Sequence, residues 1–281
     1  MSTSNENTHP TLEQLLTEIG EVGDWLAQMR ASEGTGGNIS VCMDWEIDPS
    51  PLFPDSRQVE LPFAAADMAG KSFLVTGSGT RLRDLHKDPL ANIGFLRILD
   101  QGQAGLLYTH PNHHFTRLTS EFNSHLSLHQ REMAGGDTSF NAVVHAQPVF
   151  LTYLTSIPAY QDSARLSQAI FRWQPEMIVA FPQGLAFLPF RVPNSDDLMR
   201  VTREVDAMHK LIVWAKHGAL SVSSQSVTKA LDLIEYAEAG AHYEYLNQIN
   251  QGSAEGLNSQ DIAAICDHFN LNESIFRPAA N

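Results

Sequence analysis

Residues 142–147 read Ala-Val-Val-His-Ala-Gln, an apolar run that ends in two polar side chains spaced i, i+2. On a β-strand such a pair points to one face. The imidazole nitrogen of His145 is a good ligand for a divalent cation; the neutral amide oxygen of Gln147 is a weaker one. The pair has the frame of a strand-borne metal site with one ligand exchanged. A second histidine, His217, follows the apolar run 211–215 and precedes Gly218. Two histidines at the ends of separate strands, with a carboxylate, make up the inventory of a catalytic metal site. The chain has twelve histidines, so coincidence is easy, and a lone histidine at a strand end serves structure more often than chemistry. His110, His113 and His114 form a denser cluster, but Pro111 places them in a loop, and they are not read as ligands.

Two glycine-rich turns and one acidic residue complete the candidates. Gly36-Gly37-Asn38 precedes a strand and Thr76-Gly77-Ser78-Gly79 follows one. Glycine lets the main chain approach a ligand closely and turn its N–H groups toward an anion. A tight turn with no ligand needs the same residues. In Thr119-Ser120-Glu121 a hydroxyl and an acid stand at a helix start, which is ordinary capping chemistry with a carboxylate favoured by the helix dipole.

The elements that would position these residues follow from hydropathy spacing. Thr11 offers an N-cap to a helix with Leu12, Leu15, Leu16, Ile19, Val22, Trp25, Leu26 and Met29 at helical spacing. Strands are predicted over 38–43, 72–76, 93–99, 104–109, 142–144 and 211–215. Helices are predicted over 120–133, 196–209, 227–250 and 259–269, with another starting at 151–156. Residues 44–60 read as a loop, 177–188 as a hairpin around Pro182-Gln183-Gly184, and 1–10 as a disordered tail. Strands and helices mix throughout 11–281 without a dividing linker. A single α/β domain with a mostly antiparallel sheet between helices fits best.

Composition narrows the function. The chain has 281 residues, 43% of them apolar, and a net charge of −14. Such acidity is repelled by phosphate backbones, so no nucleic-acid partner is expected. Cys42 and Cys266 are the only cysteines and are read as reduced. There is no apolar leader in residues 1–11 and no uncharged apolar stretch of spanning length, so a cytoplasmic protein without membrane contact is expected.

Taken in order, Gly36-Gly37-Asn38, Thr76-Gly77-Ser78-Gly79, Thr119-Ser120-Glu121, His145-x-Gln147 and Lys216-His217-Gly218 resemble the motif series of the class II aldolase/adducin family, in its rhamnulose-type branch. Ala230, Ile234, Glu235, Glu238 and Ala241 on the long helix add to the likeness, as do the segment Glu176 to Pro193 and the N-terminal helix. The resemblance implies a three-layer domain in a homotetramer. It implies cleavage of a ketose 1-phosphate, rhamnulose 1-phosphate-like, to dihydroxyacetone phosphate and an aldehyde through a metal-stabilised enediolate. Glu121 is then the catalytic acid/base. His145 and His217 are ligands of a divalent metal, zinc first and manganese or magnesium next, with Gln147 in the third ligand's place. Gly37, Asn38, Ser78, Gly79 and Ser120 hold phosphate, and Glu176 reaches a neighbouring subunit's site.

The chain also departs from the family. Gln147 replaces the second histidine of a His-x-His pair, Thr35 an asparagine and Thr80 a lysine of the rhamnulose-type members. Three readings therefore stay open: a metal-dependent aldolase with an atypical site, another sugar-phosphate lyase or epimerase on the same scaffold, and a non-catalytic adducin-like binding or assembly protein.

Overall fold

The computed structural model describes residues 9–276. Most of the expected tail, residues 1–8, lies outside the described residues; His9 stacks on Trp45 with ring centroids 4.4 Å apart. Nine strands form one sheet: β1 (Asn38–Met43), β2 (Asp55–Glu60), β3 (Ser72–Thr76), β4 (Ile93–Ile98), β5 (Ala104–Thr109), β6 (Phe140–Ala146), β7 (Ala186–Leu188), β8 (Leu211–Trp214) and β9 (Gly218–Ser223). The helices are α1 (Leu12–Gln28), α2 (Pro89–Asn92), α3 (Phe122–Met133), α4 (Val149–Leu154), α5 (Ser163–Phe171), α6 (Pro175–Ala180), α7 (Asp196–Arg203), α8 (Val227–Ile249) and α9 (Ser259–Phe269). Strand order is β2-β5-β4-β3-β1-β6-β9-β8-β7, antiparallel except for the β7–β8 pair.

Helices cover both faces, which gives the three expected layers. Ile39, Val41 and Met43 of β1 and Ala142, Val144 and Ala146 of β6 join α1, α5, α6 and α8 in the larger core. On the other face, Phe122 and Leu126 of α3 meet Phe73 and Val75, and Leu128 and Leu198 meet Val143, Ile212 and Trp214. Because side chains alternate along a strand, that second face also receives Asn38 and Ser40 from β1 and Asn141 and His145 from β6. A polar stripe therefore lies between the centre of the sheet and α3.

Several expectations hold. Thr11 caps α1 in a reciprocal capping box with Gln14, and β1, β3 and α9 have the predicted bounds. Three readings are corrected. Residues 175–180 form helix α6, not the first arm of a hairpin, because Pro175 starts a helical turn and Met177 and Ile178 are both buried. Strand β7 pairs in parallel with β8 instead. The region read as loop 44–60 contains β2, an exposed polar edge strand without an apolar alternation to announce it. Strand β9 follows His217 directly, and α7 stops at Arg203.

Candidate metal and catalytic centre

Three elements converge at one end of the polar stripe. Strand β6 carries His145 near its C-terminal end, paired across the sheet with Asn38 at the start of β1. The tight β8–β9 connection carries His217, whose N–H bonds back to Trp214 O at 3.1 Å. Two backbone features make this turn possible. Lys216 has φ +60° and its N–H donates to Thr155 Oγ1 at 2.8 Å. At Gly218 (φ +147°) a Cβ would meet Ala146 O at 2.3 Å, so only glycine lets the hairpin close on β6. Glu121 stands at the N-cap of α3 but makes no cap hydrogen bond with its side chain. The capping reading of this acid is therefore set aside: its carboxylate turns to the histidines.

Glu121 Oε2 accepts from Asn38 Nδ2 at 2.7 Å and lies 3.5 Å from His145 Nε2. Its Oε1 lies 3.2 Å from His217 Nε2. One ligand atom from each of Glu121, His145 and His217 falls within 4.8 Å of the others. Burial disfavours the charge on Glu121, but positive charge placed beside it at the His145 position, with hydrogen bonds from His217 Nε2 and the Asn38 amide, outweighs burial and holds the carboxyl well below its usual range. Burial pushes the pKa of His145 down and keeps the ring neutral. The Nδ1 of that ring is 3.0 Å from Ala219 O, an acceptor only, so the hydrogen sits on Nδ1 and Nε2 presents a lone pair. Trp214 backs both histidines, stacked on His217 at 5.0 Å and tilted against His145 at 5.1 Å, with its Nε1 tied to Thr202 Oγ1.

A lone pair on His145 and the carboxylate oxygens of Glu121 thus face one another in a buried space. Only a proton or a cation reconciles acceptors so arranged. The donor set, two imidazole nitrogens and a carboxylate, with one histidine fixed through its other nitrogen, suits a divalent transition metal.

The centre opens into a cavity of about 340 Å³ lined by Gly37, Asn38, Ser78, Gly79, Ser120, Glu121, His145, Gln147 and His217, along with Thr35, Thr80 and the neighbouring glycines. Nine of the ten residues singled out from the sequence therefore line one space. Gly37 and Gly79 have φ of +82° and +81°, the left-handed region that opens the main chain at both turns. Gln147 Oε1 lies so close to Gly36 that a Cβ there would meet it at 2.2 Å. Among the described lining residues Glu121 is the one carboxylate, and there is no lysine or arginine.

Glu176 is the exception. It is exposed on the first turn of α6, in a separate groove with Val179, Leu233, Tyr236 and Phe269. The structure also adds residues the sequence reading passed over. Pro193 and Asn194 close one side of the cavity, Asn194 with φ +64°, and Asn194, Thr119 and Ser120 are shared with a second cavity of about 520 Å³. An asparagine just before the serine cap of α7 was the available signal.

Fold and site together define a known class. Residues 17–245 match the model of the class II aldolase and adducin N-terminal domain, and the chain belongs to this family. Among curated proteins it is similar to a rhamnulose-1-phosphate aldolase of Listeria innocua, 25% identical over 91% of this chain and 93% of the relative. It is likewise similar to one of an Enterobacter species, 27% identical over 85% and 87%. Among solved structures, a sugar-phosphate aldolase from Thermotoga maritima superposes with a TM-score of 0.72 at 28% identity, over 86% of this chain and 98% of that one. No helix among the described residues is long and apolar enough to cross a membrane.

Proposed function

We propose that the protein is a divalent-metal-dependent aldolase that cleaves a ketose 1-phosphate, rhamnulose 1-phosphate-like, into dihydroxyacetone phosphate and an aldehyde. The carrying observation is the buried confrontation of the His145 Nε2 lone pair with the Glu121 carboxylate, beside His217 Nε2. His145 and His217 would hold the cation, with Gln147 as a weak neutral donor and zinc, manganese or magnesium as the ion. Bound there, the cation would supply Lewis acidity, countering the negative charge that develops on the three-carbon fragment.

The chain's own residues do the rest. Glu121, kept ionised by its neighbours, takes the hydroxyl proton from the departing aldehyde carbon's oxygen as the C–C bond breaks. Returning that proton to the three-carbon fragment balances the reaction and restores the carboxylate. Asn38 steers Glu121 through its 2.7 Å hydrogen bond. The turns at Gly37 and at Ser78-Gly79, with Ser120, hold the phosphate through backbone N–H groups and hydroxyls, without a cationic side chain. Glu176, remote from its own chain's cavity, serves a neighbouring copy's cavity in a homotetramer.

The test is release of dihydroxyacetone phosphate, followed by coupled reduction, from a panel of ketose 1-phosphates with zinc, manganese or magnesium supplied. Metal-dependent release supports the reading. Interconversion of sugar phosphates without cleavage would replace it with an epimerase, and no turnover with any ion would favour a binding or assembly role.

A further inference from the structure

The polar stripe continues past the centre. Glu121, His125 and His129 are spaced four apart along α3 and its cap, and so share one face. Ser40 Oγ lies 2.7 Å from His125 Nδ1 and 2.7 Å from His129 Nε2. Asn141 Nδ2 lies 2.8 Å from His129 Nδ1. All four side chains are completely shielded from solvent.

Hydrogen-bond chemistry fixes the direction of this chain. An amide nitrogen only donates, so His129 Nδ1 accepts from Asn141. Burial keeps the His129 ring neutral, which leaves its one hydrogen on Nε2, donated to Ser40 Oγ. The single hydroxyl hydrogen of Ser40 then goes to His125 Nδ1. His125, also held neutral by burial although the Glu121 carboxylate pulls the other way, must carry its own hydrogen on Nε2. That buried N–H has no partner among the described residues, and neither does Asn38 Oδ1, on the amide that holds Glu121. A helical side chain leans toward the N-terminus, here from His125 toward Glu121. A buried, unpaired donor is costly unless it has work to do.

We propose that Asn141, His129 and Ser40 form a tautomer lock that makes His125 a positioning residue for Glu121. The lock points a fixed Nε2–H dipole along α3 toward the end that carries Glu121, without a hydrogen bond to the carboxylate, and leaves no basic nitrogen on that side. A proton taken up by Glu121 then has no route into the core and returns to substrate. This role rests on the aldolase reading; the lock itself does not.

The test is long-range proton–nitrogen NMR of the full chain labelled with ¹⁵N-histidine, paired with steady-state kinetics. In the native protein both His125 and His129 should carry hydrogen on Nε2 and none on Nδ1. In Ser40→Ala, His125 should lose its single tautomer while His129, still tied to Asn141, keeps its own. The same variant should lower kcat about tenfold with KM unchanged. Asn141→Leu should unlock both rings. A native His125 with hydrogen on Nδ1, as a reversed Asn141 amide would produce, overturns the proposal, and so does an unchanged His125 tautomer in Ser40→Ala. A changed tautomer with unaltered kcat overturns the positioning role. If Ser40→Ala does not fold, the native spectrum decides the lock. A native spectrum as expected from a protein without aldolase activity would sink the proposed reaction and leave the lock standing.

Discussion

The two ends of the candidate cavity are made of opposite materials. At one end, ionisable side chains from a helix cap, a strand end and a hairpin tip meet: Glu121, His145 and His217. At the other end, the turns at Gly37 and Ser78-Gly79 offer main chain and hydroxyls, with no lysine or arginine among the described lining residues. The first end concentrates charge in a buried space, where one atom out of place costs much. The second spreads its contacts over neutral donors, where each is worth little. Chemistry should therefore be brittle to substitution at the centre and graded at the cradle.

The sharpest way to break this contrast is Glu121→Gln. The isosteric amide keeps the fold, so thermal unfolding should change little, while kcat for cleavage should fall about 10²- to 10⁴-fold. Activity near the native level would remove Glu121 from its role and with it the distinction between the ends. A smaller effect is expected from Gln147→His, which restores an imidazole beside His145. Affinity for zinc, read by competition with a chromophoric chelator, should rise about 10- to 100-fold. No gain would mean that Gln147, lying against Gly36, takes no part in holding the ion. The smallest effect belongs to the cradle. Thr80→Lys adds a cation at a turn where Thr80 Oγ1 now only bonds Gly77 O at 2.8 Å. The KM for a ketose 1-phosphate should fall severalfold with kcat unchanged, by about 1 kcal/mol of charge-assisted binding. An equal change with the unphosphorylated ketose would show that the cradle does not take the phosphate.

Much of the fold was legible where burial is one-sided or a cap is explicit. Helix α1 announced itself through Thr11 and its apolar spacing, and β3 through an apolar run ending at glycine. Misses fall where the signal is absent in principle. Strand β2 is an exposed edge whose residues are polar apart from Val59, so no apolar alternation marks it. Strand β9, Gly-Ala-Leu-Ser-Val-Ser, is buried on both faces, but Leu220 and Val222 are its only large apolar residues, too few to mark a strand. In α6 the apolar run is too short for its period to separate helix from strand. The site was more legible than its supports. Motif order brought nine residues to one cavity, but nothing in the sequence showed that Ala219 O sets the tautomer of His145 or that Trp214 backs both histidines. Those contacts depend on the β8–β9 hairpin, which the missed strand concealed. Glu176 lies outside that cavity, in the groove beside α8 and α9.

Metal content of the purified native protein, measured by elemental mass spectrometry without added metal or chelating resin, tests the central claim most directly. About one divalent transition-metal ion per chain is expected, lost in His217→Ala while the fold is retained. A native protein that carries no metal and takes none up on titration with zinc, manganese or magnesium would contradict the claim that His145 and His217 hold a cation beside Glu121.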